Sequence, residues 1–183
     1  MQYELTTPCT AADLAPLKAG DTVLLSGVVY TARDQAHRRM LEALDKGEKL
    51  PFDLEGSAIY YVGPTPERPG CAIGAAGPTT SGRMDAYTPR LLDLGLACMI
   101  GKGVRGQGVQ DAMERNGAVY MVAIGGAGAA KAASIKNVEV IAYDELGCES
   151  VKRLTVEIFS TIVSQDSVGG NLYTEGVAKY KKD

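Results

Sequence analysis

The 183-residue chain is long enough for one domain with a substantial core, and its 45% hydrophobic and 22% charged residues are typical of a globular protein. Nineteen lysines and arginines against 22 acidic residues give a formal net charge of −3, which argues against a protein that holds nucleic acid through its overall charge. No apolar run approaches the roughly 18 residues of a membrane-spanning helix and the first residues lack a basic leader, so we expect a cytoplasmic protein without a membrane anchor.

The first predicted elements are a strand and a helix that follows it closely. Residues 21–30 (DTVLLSGVVY) are rich in apolar and β-branched side chains and follow Gly20, which favours a strand. Thr31 and Asp34 have the spacing of a capping box, and apolar residues then recur with helical spacing up to Gly47. The sequence therefore predicts a helix that ends at Gly47, and it assigns Asp34 to the helix cap alone.

The middle of the chain alternates between strands and loops rich in glycine or proline. A strand is predicted at 57–63, and three prolines in the PTPERPGC segment that follows exclude regular structure there. A short strand is predicted at 71–75. Thr88, which precedes a proline, favours the N-cap of a helix that Gly95 ends, and an apolar strand at 96–101 follows.

The second half continues with alternating helix and strand patterns. The predicted elements are a helix at 107–116 ended by Gly117, a strand at 118–126, a helix at 126–135, a strand at 138–145 and a long strand at 152–163. This alternation predicts parallel strand pairing and hence an α/β fold. We expect residues 1–183 to form one domain, with a tail from about residue 165.

The segment 77–87 (GPTTSGRMDAY) concentrates groups that can hold an anion. It combines two glycines, three hydroxyl side chains and Arg83 near a predicted helix start, an arrangement that suits a carboxylate or a phosphate. A cation at a helix start opposes the helix dipole, and Arg33 has the same unusual position. The two arginines indicate one doubly anionic ligand, although a glycine turn with capping hydroxyls and a surface arginine would give the same pattern.

Lys102 lies between two glycines directly after a predicted buried strand, so a ligand could approach it closely. The alternative is an ordinary exposed lysine in a turn. A phosphate-binding loop of the G-x-x-x-x-G-K type is excluded, because Leu96 and Gly103 stand where a glycine and a hydroxyl residue are required.

The glycine-rich segment 125–133 (GGAGAAKAA), with Asp144 near the end of the next strand, suggests a different class of protein, one that binds a dinucleotide. Read from Gly126, however, the third glycine position holds Lys131. Packing of a small-residue helix on a sheet is therefore the favoured interpretation.

The histidine and cysteine content predicts no metal site within this chain. His37 borders the apolar face of the first predicted helix, where a structural histidine is favoured over a catalytic one. The cysteines are far apart in sequence and form no C-x-x-C pair; they are Cys9, Cys71, Cys98 and Cys148. Cys98 lies in an apolar run and is predicted to be a core residue.

The segment 77–103 (GPTTSGRMDAYTPRLLDLGLACMIGKG) resembles the beta subunit, equivalently the carboxy-terminal region, of iron–sulfur-dependent class I fumarate hydratases and tartrate dehydratases. The resemblance covers most of the chain. It extends to SGVVYTARDQAHRR, GAVYMVAIGGAGA, YDELGCESVKRL and GGNLY.

This resemblance implies a hydro-lyase subunit with a compact mixed β/α fold of the swivelling type. It implies that Arg33 and Arg83 clamp the carboxylates of a small dicarboxylate substrate, that Lys102 completes the anionic site and that Thr79 is the proposed base. A threonine hydroxyl is a weak base, so that role requires cations and burial to stabilise the alkoxide.

The resemblance also implies a partner. Three cysteines of an alpha subunit would hold a four-iron four-sulfur cluster with one iron open to substrate, and two alpha and two beta subunits would assemble. The sequence leaves three functions open: hydration of fumarate to malate, dehydration of tartrate to oxaloacetate, and carboxylate binding without catalysis.

Overall fold

A computed structural model of the protein describes residues 1–124 and 126–182. The strands are β1 (Gln2–Thr6), β2 (Thr22–Thr31), β3 (Ala58–Tyr60), β4 (Cys98–Gly101), β5 (Val119–Val122), β6 (Ile135–Ala142) and β7 (Val151–Gln165). The α-helices are α1 (Ala11–Leu14), α2 (Asp34–Asp45), α3 (Thr88–Leu92), α4 (Gln107–Asn116), α5 (Gly128–Ala133) and α6 (Leu172–Tyr180). Short 3₁₀ helices cover Ser81–Met84 and Asp144–Glu149.

The strands form one mixed sheet that closes on itself. The order is β1-β2-β3-β4-β5-β7-β6, and β1 to β5 run parallel. The long strand β7 is antiparallel to both β5 and β2, so it closes β2 to β5 into a ring, and β1 and β6 lie outside this ring. This closure places the carboxyl ends of β2, β3 and β4 at one edge.

Side chains alternate between the two faces of each strand. Both faces of the central strands are buried, because a hydrophobic cluster covers each of them. On β3, Tyr60 packs into one hydrophobic cluster with Ile100 and Phe159, whereas Ile59 packs with Met99 into a second cluster beneath the helices. The parallel strands are therefore fixed on both sides, and their carboxyl ends provide a rigid base for the loops that follow.

The mixed β/α prediction is confirmed, and several local predictions hold closely. Helix α4 has the predicted bounds, and Gly117 ends it in the left-handed conformation at φ +67°. The proline-rich segment after Gly63 has no helix or strand. The predicted tail after residue 165 contains a turn and helix α6.

Three local predictions are wrong because long-range contacts prevail over local patterns. Thr31 and Asp34 form no capping box: the Thr31 hydroxyl donates to Ser150 O at 3.1 Å and accepts the Lys152 N–H at 2.9 Å, so β2 continues through Thr31. Residues 71–75 form no strand. Thr88 is the first residue of α3, after the N-cap Tyr87.

The prediction of parallel pairing in the second half is corrected in part. It holds for β5, which pairs in parallel with β4, whereas β6 pairs antiparallel with β7. No helix in residues 1–124 or 126–182 has the length and apolar character needed to span a membrane.

Candidate functional site

The four predicted site residues follow the carboxyl ends of three neighbouring parallel strands. Arg33 lies two residues after β2, Lys102 lies directly after β4, and the loop that carries Thr79 and Arg83 runs between β3 and α3. The carboxyl edge of a parallel sheet is the usual position of ligand sites in α/β proteins, because loops from several strands converge there. The topology therefore brings together residues that are up to 69 positions apart in sequence, from Arg33 to Lys102.

Arg33 lies at the N-cap of α2 and is only 18% exposed in its side chain. Its Nη2 lies 3.0 Å from Glu149 Oε1, which makes an ion pair. A Cβ atom on Gly63 would lie 2.6 Å from Arg33 Nη1, so the guanidinium passes over the glycine at the end of β3. A larger residue at Gly63 would displace this guanidinium.

Asp34 joins the two arginines. Its Oδ2 accepts a hydrogen bond from Arg83 Nη2, and its Oδ1 lies 4.0 Å from Arg33 Nε. Arg83 is part of the short 3₁₀ helix and is 45% exposed, so one edge of its guanidinium faces Asp34 while the rest is accessible. The structure thus places both arginines beside one carboxylate, and Asp34 belongs to this cluster and not to a helix cap.

Several buried polar atoms of this cluster have no hydrogen-bond partner among the described residues. They are Arg33 Nε, Asp34 Oδ1 and Glu149 Oε2. Buried polar atoms in folded proteins are nearly always paired with protein, water or ligand. Their concentration around Arg33 makes this edge a candidate binding surface.

Thr79 lies on the loop between Arg83 and the end of β3. Its backbone N–H donates to Tyr61 O at 2.8 Å, which holds the loop against the strand end, and its side chain is half-buried. Its hydroxyl donates to no acceptor among the described residues. Thr80, the next residue, forms a parallel bridge with Lys102, so this loop lies directly beside the residues that follow β4.

Lys102 has an exposed side chain, and its ammonium group forms no ion pair with the residues that the structure describes. The backbone around it requires glycines on both sides. A Cβ on Gly101 would lie 2.0 Å from Ser81 Oγ, and Gly103 adopts φ +84°. The structure places Lys102 beside Thr80. The role of Lys102 in anion binding stays a prediction.

His37 is fully buried on the first turn of α2. Its Nδ1 lies 2.9 Å from Arg33 O and carries the proton of that hydrogen bond. Burial lowers the pKa of His37 to about 4, so the ring is neutral at pH 7. The contact favours the structural interpretation, since it holds the backbone of Arg33 in place.

Two functional candidates were missed by sequence reasoning. Glu149 lies in the segment YDELGCESVKRL, which is part of the family resemblance, but no local pattern indicates that it pairs with Arg33. Arg105 is a buried cation whose guanidinium donates to Asp85 at 2.7 Å and to Thr88 at 2.9 Å. It also lies between two aromatic rings, those of Tyr61 and Tyr120.

Arg105 stays charged inside this packing. Burial by itself lowers the pKa of Arg105, but the nearby Tyr61 and Asp85 outweigh burial and raise it. The resulting ion pair ties the 3₁₀ helix region to the segment after β4, beneath the loop that carries Thr79. Arg105 lies in a loop without helical or strand periodicity, so the sequence offers no signal for its role.

The cysteines do not fit an iron–sulfur cluster held by this chain. Cys9 and Cys98 are buried in the core, as predicted for Cys98, whereas Cys71 and Cys148 are exposed. Across residues 1–124 and 126–182, His, Cys, Asp and Glu side chains form no group of three or more suited to a metal ion.

The dinucleotide alternative is contradicted by the topology. That site needs a strand, a helix and a second strand that pairs in parallel with the first, whereas β5 and β6 are not neighbours, because β7 lies between them and pairs antiparallel with both. Helix α5 instead packs closely on the chain just before segment 77–87: Ala76 N–H donates to Gly128 O at 3.0 Å. Gly125 of the predicted fingerprint lies outside the described residues.

An open cleft of about 620 Å³ lies at the amino ends of β3, β4 and β5, away from the predicted site. Gly56, Leu96 and Gly117 line it, and the predicted site residues do not.

Comparison with known proteins agrees with the resemblance seen in the sequence. "Fumarate hydratase 2" of Leishmania major is 39% identical over 167 residues, which cover 90% of this chain and 29% of that protein. "Fumarate hydratase class I, aerobic" of Escherichia coli strain K12 is 37% identical over 166 residues, with 90% and 30% covered. "Putative L(+)-tartrate dehydratase subunit beta" of Methanocaldococcus jannaschii is 40% identical over 172 residues, with 91% and 88% covered.

The chain thus spans about 30% of the length of the two fumarate hydratases and most of the archaeal relative. Residues 1–176 match the family described as Fumarase C-terminus. The mixed β/α fold and the match over nearly the whole chain lead to one assignment: the chain belongs to the Fumarase C-terminus family.

Proposed function

We propose that this chain is the beta subunit of a hydro-lyase that interconverts fumarate and malate, and that it binds the dicarboxylate and transfers the proton. The observation that carries the proposal is the pair Arg33 and Arg83 beside Asp34, at the same edge as Lys102. Planar guanidinium groups match carboxylates in geometry and charge. Two arginines held side by side suit a substrate with two carboxylates.

The charge balance of the cluster supports an anionic ligand. Arg33, Arg83 and Lys102 contribute three positive charges, and Asp34 and Glu149 contribute two negative charges. The excess of one positive charge at a partly desolvated edge favours a small dianion over a neutral ligand. Asp34 and Glu149 each contact one edge of a guanidinium, which leaves other donors of the same groups for substrate.

Thr79 is our candidate for the proton-transfer residue. Dehydration of malate removes a proton from the carbon next to one carboxylate and a hydroxyl from the neighbouring carbon. Thr79 is half-buried, its loop is anchored to Tyr61, and Arg83 lies four residues further along the same loop. The field of the arginines would favour the deprotonated hydroxyl that this role requires.

The metal chemistry of the reaction belongs to a partner in this proposal. The cysteines of this chain do not form a cluster site, so we infer that an alpha subunit holds the four-iron four-sulfur cluster and completes the active site over the carboxyl edge. Two copies of each subunit would assemble in the cytoplasm. No step at the cluster is assigned to this chain.

Tartrate dehydratase is the second candidate, and one observation favours it. The relative with that name is 40% identical to this chain over 172 residues, at least as similar as the two fumarate hydratases at 39% and 37%. Both substrates are four-carbon diacids, and the arginine pair suits either. The site does not separate the two reactions.

Reconstitution with a cluster-bearing partner subunit under anaerobic conditions tests the proposal. We expect the assembled protein to act on fumarate, malate or a tartrate isomer, and this chain alone to be inactive. Turnover of tartrate without fumarate would select the second candidate. Dicarboxylate binding without turnover of any of these acids would indicate a carboxylate-binding module, and the absence of both binding and turnover would refute the proposal.

A further inference from the structure

Lys102 and Gly103, the two residues that follow β4, are held by hydrogen bonds to their backbone. Lys102 N–H donates to Ser81 Oγ at 3.1 Å, and Lys102 O accepts the Ser81 N–H at 2.9 Å. Gly103 O accepts the Tyr120 hydroxyl at 2.8 Å, and Gly103 N–H donates to the Tyr173 hydroxyl at 3.0 Å. All four backbone polar groups of this dipeptide are therefore paired with residues outside it.

The hydroxyl groups form a directed network. Tyr120 has one hydroxyl proton and donates it to Gly103 O, so the 2.8 Å contact between Tyr120 and Ser81 has Ser81 as the donor. Burial raises the pKa of Tyr120, which keeps that proton in place. Ser81 and Tyr120 are both fully buried and belong to the loop and strand that surround Lys102.

Unlike Ser81 and Tyr120, Tyr173 belongs to the last helix, α6. It lies in the first turn of α6, which begins at the N-cap Asn171, whose side chain accepts the Tyr173 N–H at 3.0 Å. No residue of α6 is fully buried, so little apolar packing holds this helix. The hydroxyl of Tyr173 thus links a lightly packed helix to the backbone beside Lys102.

We infer that Tyr173 is a positioning residue for Lys102, and that helix α6 acts as a clamp on the anion site through the Gly103 N–H. The inference rests on the proposed function, since it deepens the role of Lys102. Lys102 has a glycine on each side, and Gly103 has φ +84°, so rotation of the Gly103 peptide would redirect the lysine. The Tyr173 hydroxyl opposes that rotation.

Tyr173→Phe tests this in the assembled complex, because it removes the hydroxyl and keeps the ring. We expect the KM for the dicarboxylate to rise about 2- to 13-fold, the equivalent of one hydrogen bond, with kcat within about twofold of the parent. A general loss of folding would instead lower the active fraction and leave KM unchanged. Tyr180→Phe is the matched control, since Tyr180 lies on the same helix, is 72% exposed and should change neither constant.

A double variant asks whether Tyr173 acts through Lys102. In a Lys102→Met background, Tyr173→Phe should have no further effect on KM. An equal effect in both backgrounds, or an unchanged KM in Tyr173→Phe alone, would overturn the inference. A parent complex that is inactive on every four-carbon diacid would overturn the proposed function, which is a different outcome.

Hydrogen exchange provides a readout that does not depend on turnover. In the assembled complex, the peptide that contains Gly103 should exchange faster in Tyr173→Phe than in the parent, with no change in Tyr180→Phe. Equal exchange in all three proteins would show that the hydroxyl does not hold this backbone, and the clamp would be excluded whatever the activity.

Discussion

Replacement of Arg33 should separate the contribution of this side chain to substrate binding from its contribution to the fold. Hydrogen bonds to charged groups contribute about 1.5–3 kcal/mol. Loss of the contact with a substrate carboxylate in Arg33→Ala should therefore lower kcat/KM about 10- to 150-fold. Arg33→Lys should recover only part of the activity, because lysine cannot make a planar contact with two hydrogen bonds.

The same substitution also removes an ion pair that is mostly buried. Arg33 and Glu149 are 18% and 21% exposed in their side chains, so Arg33→Ala leaves a poorly solvated carboxylate without its partner. We expect the free energy of unfolding to fall by about 1–3 kcal/mol. Arg33→Ala combined with Glu149→Gln removes the uncompensated charge, and should recover much of this stability without recovering activity.

Arg115→Ala is the matched surface control. Arg115 and Asp93 form an ion pair at 2.8 Å, but their side chains are 49% and 46% exposed, so water screens the interaction. Its removal should leave the urea unfolding midpoint close to the parent's and kcat/KM unchanged.

The assay combines urea unfolding with rates of malate and fumarate interconversion by the assembled protein. Kinetics close to the parent's in Arg33→Ala would show that the carboxylate site lies elsewhere. Recovery of activity together with stability in the double variant would show that Arg33 supports only the fold.

Three further predictions follow from the geometry of the site. Thr79→Val keeps the side-chain shape and should lower kcat at least about 10²-fold with substrate binding retained; a kcat within a few-fold of the parent's would exclude Thr79 as the base. The pKa of His37 is about 4 in the folded chain, whereas in the unfolded chain it has the ordinary value of 6.5. The free energy of unfolding should therefore fall by roughly 3 kcal/mol as the pH decreases from 6.5 to 4, because only the unfolded chain binds the proton in this range. Urea unfolding at each pH should show that His37→Gln lacks this component. Gly101→Ala places a Cβ 2.0 Å from Ser81 Oγ, so it should lower the free energy of unfolding in urea by about 1–3 kcal/mol and reduce activity. Gly108→Ala meets open space and should lower neither stability nor activity. Equal stability and activity of the two variants would contradict the close approach at Gly101.

Local sequence patterns were sufficient to predict an element wherever residues within that element determine where it begins and ends. Helix α4 begins and ends as predicted because its apolar stripe and Gly117 act within ten residues. The long strand β7 was recognised from its composition, and the arginines stood out as cations near helix starts. The roles of Thr79, Arg83 and Lys102 came from the family resemblance and stay predictions.

Only the tertiary structure decided which of these residues meet. The pairing of β7 with both β2 and β5 takes Thr31 into the sheet, which frees Asp34 from the predicted cap and leaves it between Arg33 and Arg83. Local periodicity carries no information on such contacts, since they join segments that the sequence separates by tens of residues.

The same reason explains the contacts that the sequence did not reveal. Glu149 reaches Arg33 across 116 positions, and Tyr173 reaches Gly103 across 70. An isolated glutamate or tyrosine has no pattern that names its partner. The sequence by itself determined most of the elements, the family and the charged residues at the strand ends, whereas chain closure determined which of those charges share one site.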